Sequence, residues 1–231
     1  MKPIRQFAIC ALLLLPAAAT AGEVIDGVIA TVNRTPVLQS EWDDATRFEA
    51  FMQQKPLSEV TGKDRVRALQ RLIDRRLLEV QMGNPGYLAP SRDELRSNLA
   101  KLRAQIPAAQ EDAGWQAVMA SYGLTQRQIE DHLRAEMQMM SFLEVRLRPN
   151  AHVQPEEVEA YYRAQVLPDL EKAGVKLVTL QEVEPRIREL LVQQHMDELL
   201  DAWLHNLRLQ TPVHSSVPLP AAPEREAMGG N

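Results

Sequence analysis

The chain has 231 residues, with 26 basic and 31 acidic side chains and a formal net charge of −5. An acidic balance argues against nucleic-acid binding, which runs on clustered cations that neutralise phosphates. The one cysteine, Cys10, lies close to the first residue, so thiolate metal sites, redox chemistry and disulfides are excluded for the chain that follows it.

Lys2 and Arg5 precede an apolar run, Phe7 to Leu15, that is too short to span a bilayer. Ala19-Thr20-Ala21 fits the small-x-small pattern of a cleavage site. Residues 1–21 therefore read as a cleaved secretory signal, with the mature chain starting near Gly22. No long apolar stretch follows, so stable membrane insertion is not expected. Loss of Lys2 and Arg5 makes the mature chain more acidic still, and loss of Cys10 leaves its fold to rest on packing alone.

Val24 to Val32 is apolar and β-branched, broken by Asp26-Gly27, and reads as a short strand. Asn33-Arg34-Thr35 makes a turn, and Pro36-Val37-Leu38 a second short strand. Ser40-Glu41-Trp42-Asp43 has capping-box form, which predicts a helix from Glu41 to Gln53. Asp64 to Met82 is the next helix, with Val66, Leu69, Ile73, Leu77 and Val80 as its buried stripe. Gly83-Asn84-Pro85-Gly86 stops it. Ser91 to Glu94 is another capping box, for a helix reaching Gln105. Pro107 interrupts, and a further helix runs from Gln110 to Tyr122, ended by Gly123. Thr125 and Gln128 cap the longest mid-chain helix, to Leu147. Its stripe is Ile129, Leu133, Met137, Met140, Leu143 and Leu147, with Met139 and Phe142 falling outside. Pro155 opens a helix through Arg163, with Pro168 arguing for a break before Gly174. Glu184-Pro185 begins the last helix, to Leu209, facing inward through Ile187, Leu190, Leu191, Met196, Leu199, Leu200, Trp203 and Leu207. Val213 to Val217 could form a strand. Residues 218–231 are small, polar and proline-containing, the composition of a disordered tail.

No constellation for catalysis stands out. His132, His152, His195, His205 and His214 are scattered, and none has a glutamate three residues before it. Asp201 and His205 share a helix face, but one carboxylate and one imidazole do not make a metal site. Glu156, Glu157 and Glu159 sit in a first helical turn, where the helix dipole favours them. Arg71, Arg75 and Arg76, opposed by Asp74 and Glu79, read as a solvated face with local pairing. No phosphate-cradling glycine loop and no Gly-x-Ser-x-Gly motif occurs. No catalytic, cofactor-binding or metal-ligating residue is assigned. The methionines are different: a flexible, polarizable side chain suits a surface that accepts varied apolar partners. Met137 and Met140 lie on the stripe and are expected in the core. Met139, Phe142, Tyr161 and Tyr162 are the candidate polypeptide-binding residues.

Several segments, taken in order, resemble the periplasmic chaperone family typified by SurA: Gly27 to Asn33, Val37 to Glu41, Leu72 to Leu78, Tyr122 to Thr125, Leu133 to Met137, Val145 to Arg148, Val153 to Val158 and Trp203 to Arg208. The resemblance implies a mainly α fold: a multi-helix core with a small β-sheet that joins the first strand to the segment after the last helix. That core comprises residues 22–217, made of an N-terminal part (22–162), a connection (163–179) and a C-terminal helix and strand (180–217). Most members place a parvulin-type prolyl isomerase domain between the two parts. Here Arg163 to Thr179 is too short to build one. The resemblance implies a periplasmic, ATP-independent holdase that binds unfolded outer-membrane proteins and has no isomerase activity. A dedicated assembly subunit for one envelope partner and a reduced prolyl isomerase are the alternatives.

Overall fold

The computed structural model describes residues 26–83, 86–174 and 178–219. The signal reading, on residues 1–21, and most of the tail reading fall outside them. The elements in order are β1 (Val28–Val32), β2 (Thr35–Leu38), α1 (Gln39–Met52), α2 (Gly62–Met82), α3 (Arg92–Ala104), α4 (Asp112–Ser121), α5 (Gln126–Leu147), α6 (Pro155–Tyr161), a π turn (Tyr162–Val166), α7 (Leu167–Ala173), α8 (Leu180–Gln210) and β3 (Val213–Ser215). The fold is mainly helical with one small antiparallel sheet, as expected.

That sheet has the order β2-β1-β3. Ala30 pairs with Val37 on one side and Ser215 on the other. Asn33 and Arg34 take positive φ at the β1–β2 turn, which suits a tight hairpin. Ala30, Val32 and Val37 are buried while Thr31 between the first two is half-buried, and Val28 is exposed before an irregularity in the pairing with β2.

Three capping boxes form, those at Ser91 and Thr125 as read and one at Thr61 that was not. Thr61, Ser91 and Thr125 each accept from the backbone N–H three residues on, while Asp64, Glu94 and Gln128 accept from the cap residue's own N–H. The box at Ser40 does not. Helix α1 starts at Gln39 with Leu38 as its cap residue, and Glu41 accepts from the Leu38 N–H at 2.9 Å. Ser40 instead gives its N–H and hydroxyl to Asp26. Helix α8 also begins earlier than expected, at Leu180, because Thr179 and Glu182 supply a cap; Pro185 is carried inside its second turn. Pro168 does not break the preceding helix. The backbone widens into the π turn, where the Leu167 N–H donates to Tyr162 five residues back, and proline then sits at the start of α7 without an orphaned partner.

The apolar side chains form separate clusters. The main one joins the sheet, α2, the second half of α5 and the second half of α8. A second one joins the end of α1 to α3, α4 and the first half of α5. A small third one packs α6 and the π turn on the first half of α8, through Val158, Ile187 and Leu191. Val80 and Leu190, expected inside, are exposed. Val217 and Leu219 pack on the main cluster, so ordered structure runs past the point where the tail was expected to begin.

Candidate functional site

The basic cluster on α2 keeps an exposed Arg71 and the local Arg76–Glu79 pair, but it also reaches other helices. Arg71 pairs with Glu49 of α1, and Arg76 pairs with Glu41 of α1 and with Glu79. Asp74 accepts three hydrogen bonds from Arg208 of α8, at 2.6 to 3.0 Å. These side chains are glue between helices. Burial pushes the Asp74 carboxyl above the usual range, against the pull of Arg208.

The histidines divide between structural roles and solvent. His132 of α5 stacks on Phe48 of α1, ring centroids 4.1 Å apart. Its Nε2–H donates to Asp44 at 2.7 Å, and Gln128 donates to the other Asp44 oxygen at 2.7 Å. The hydrogen bond from His132 holds the Asp44 carboxyl below the usual range, burial opposing. His195 of α8 reaches the His152 carbonyl at 2.8 Å. His205 and Asp201 are both exposed. Among the described residues, no group of three or more His, Cys, Asp and Glu side chains could hold a metal.

The four residues chosen for polypeptide binding do not share one surface. Phe142 is 8% exposed and belongs to the main core, 5.9 Å from Trp203, on whose ring Arg146 also lies at 5.7 Å. Met139 is half-buried against the same cluster. Tyr161 and Tyr162 are half-buried in the small third cluster, and the Tyr162 hydroxyl donates to the Val178 carbonyl at 2.6 Å. The expectation that Phe142 lies off the core is thus corrected. The reverse holds for Met140, expected inside: it is 64% exposed.

An open cleft lies elsewhere, its apolar walls belonging to side chains of the second cluster, Phe51, Ile106 and Tyr122. The cleft, about 470 Å³ counted to its mouth, is lined by Phe51, Gln54, Ile106, Val118, Ser121 and Tyr122. The Phe51 ring meets Tyr122 edge-on at 5.6 Å and Trp115 at 6.0 Å. Aromatic walls with two uncharged polar groups at the rim can hold an apolar side chain without dictating its identity. A different recess, between α1 and α2, is lined by Ala50 and Val60 together with Glu49, Lys55, Asp64, Arg67 and Arg71, whose charges pair with one another.

The arrangement defines a mainly helical fold with a small sheet and an open cleft walled by aromatic side chains. The chain belongs to the family of the SurA-like N-terminal domain, whose model matches residues 7–143. This is a chaperone-type domain of periplasmic proteins. No curated protein matches the chain. Among the described residues, no helix is long and apolar enough to cross a membrane.

Proposed function

We propose that this chain is a periplasmic holdase that shields unfolded polypeptides, outer-membrane β-barrel proteins among them, without ATP and without isomerase activity. The observation that carries the reading is the aromatic cleft on a SurA-like scaffold. Unfolded barrel proteins expose alternating apolar residues and aromatic girdles until they close. A shallow cleft that rejects no apolar shape covers such segments one side chain at a time, and an acidic surface keeps the complex soluble. Exposed Met140 and half-buried Met139, Tyr161 and Tyr162 extend the apolar contact beyond the cleft. Residues 22–217 act as one core, with Arg163 to Thr179 standing where relatives carry an isomerase domain.

The test is light scattering by a urea-unfolded β-barrel protein diluted into buffer without nucleotide. Stoichiometric chain should suppress aggregation, and Tyr122→Ser should weaken suppression while leaving helical circular dichroism intact. Absence of protection at several-fold excess replaces this reading with a dedicated assembly subunit. Concentration-dependent acceleration of a proline-peptide isomerisation would overturn the non-enzymatic part.

A further inference from the structure

Helix α6 lies on the first half of α8 over the third apolar cluster, with Val158 against Ile187 and Leu191 and with Tyr161, Tyr162 and Val166 half-buried beside them. Polar ties fasten the same joint. Arg188 of α8 donates to the Val153 carbonyl at 3.2 Å and to Glu184 at 2.9 Å. Arg148, just past α5, pairs with Glu189 of α8. His195 of α8 makes the tie that depends on a proton. Its Nδ1 lies 2.8 Å from the His152 carbonyl oxygen, and its Nε2 lies 3.3 Å from the Glu157 carboxylate of α6.

The two acceptors dictate where the protons sit. A carbonyl oxygen only accepts, so Nδ1 carries a hydrogen whatever the charge of the ring. In the neutral imidazole, Nε2 is then a bare lone pair. Here it faces a carboxylate, which also offers only lone pairs. A proton on Nε2 turns that opposition into an ion pair, and both ring nitrogens then donate. Glu157 is held in place for this, because its other oxygen accepts from the Gln154 N–H at 2.6 Å in the cap of α6. The other ionisable groups of the joint are Arg188 and an exposed Glu198 on α8, and on the facing segment His152 and Glu156, both exposed, and Glu159, paired with Arg163.

We propose that His195 is a pH-sensitive clasp between α6 and α8: its imidazolium holds the Glu157 end of α6 down, and loss of the Nε2 proton loosens that end and makes the third cluster easier to uncover. An imidazole is the side chain whose ordinary change of charge falls between about pH 5 and 8. The sign follows from the geometry. The tie is complete on the acid side of that change and is lost as pH rises through it. The Nδ1 hydrogen bond and the Arg188 and Arg148 ties remain, so α6 loosens and does not detach. The His195 and Glu157 side chains are 25% and 42% exposed, and an ion pair so open to water shifts an equilibrium by about two- to fivefold.

Hydrogen exchange on the full chain at about pH 5.5 and about pH 8, corrected for the intrinsic rate of each amide, tests the clasp. Protection of the amides of residues 158–162, taken relative to α2, should be about two- to fivefold lower at the higher pH. His195→Asn places an amide where Nδ1 stands, keeps a donor for the His152 carbonyl and has nothing to titrate, so the pH difference should vanish. Glu157→Gln still serves the cap and should abolish the difference too. His152→Gln leaves the carbonyl in place and should retain it, which separates the clasp from the titration of that exposed ring. Equal relative protection at the two pH values in the wild type overturns the clasp. So does a difference that survives His195→Asn or Glu157→Gln, or one that His152→Gln removes.

Discussion

Arg208→Met separates the charge of the α2–α8 clamp from its packing. Methionine keeps most of the aliphatic stem but removes all three hydrogen bonds to Asp74. Stranding one partner of a buried ion pair costs about 3–5 kcal/mol, and an exposed pair is worth under about 1 kcal/mol. The Arg208 and Asp74 side chains are 33% and 21% exposed, between those limits, which sets the expectation at about 2 kcal/mol. With a urea slope of about 2 kcal/mol/M, the midpoint should fall by about 1 M. The loss has a pH signature. Burial already holds the Asp74 carboxyl above the usual range, and without Arg208 nothing offsets that. A raised folded value favours the native state while the carboxyl is protonated, and that contribution is lost as pH rises through it. Wild type and variant should therefore converge at acid pH and diverge toward neutral. Arg208→Met with Asp74→Leu should recover much of the stability, since no carboxylate is then stranded. A midpoint shift under 0.5 M in urea, taken with the slope above, or a double variant less stable than the single, would refute the reasoning.

Phe51→Ala, at a side chain 1% exposed, should cost about 3–5 kcal/mol, read by urea melting, with Trp115 fluorescence shifting to the red. Asp44 has the opposite sign to Asp74: its carboxyl is held low by His132, so its contribution is present above the ordinary carboxylate range and lost as pH falls through the lowered value. Asp44→Asn should lower stability at pH 7 and flatten the acid limb of the stability curve, measured by thermal melting in steps from pH 7 down to 3. Gly123→Ala meets no atom closer than 3.7 Å and should cost about 1 kcal/mol from the left-handed backbone alone, and Gly123→Asn should cost less.

Local signals read well where the competing partners are also local. Thr61, Ser91 and Thr125 cap their helices because nothing distant outbids the residue three positions on. Ser40 is outbid by Asp26, fourteen residues earlier, which a pattern of four residues does not contain. The exchange of Phe142 and Met140 has another cause. Helix α5 packs its first half on α3 and α4 and its second half on the sheet and α8. A single stripe drawn from Ile129 to Leu147 assumes one facing partner, and with two the inward direction turns partway along. The α2 charges were read only in part for a similar reason: beside the local Arg76–Glu79 pair, Arg71 and Arg76 find acids on α1 and Asp74 finds Arg208 on α8, so local spacing sees charge and misses the clamp. The cleft was illegible because its walls come from α1, α4 and the segments that follow α1, α3 and α4, each supplying one or two residues.

Ala30 lies near one end of the described chain and its partner Ser215 near the other. A ribosome delivers the first long before the second, at about 5–20 residues per second. Until β3 arrives, one side of β1 is an unpaired edge, and α2 and α5 lack the α8 side chains that complete the main cluster. A pairing across so long a stretch of chain is intrinsically slow to form. The nascent protein is therefore, for several seconds, the kind of species it is proposed to protect: a helical intermediate with an open strand edge and uncovered apolar faces. A chain truncated before β3 should therefore keep one edge of β1 unpaired.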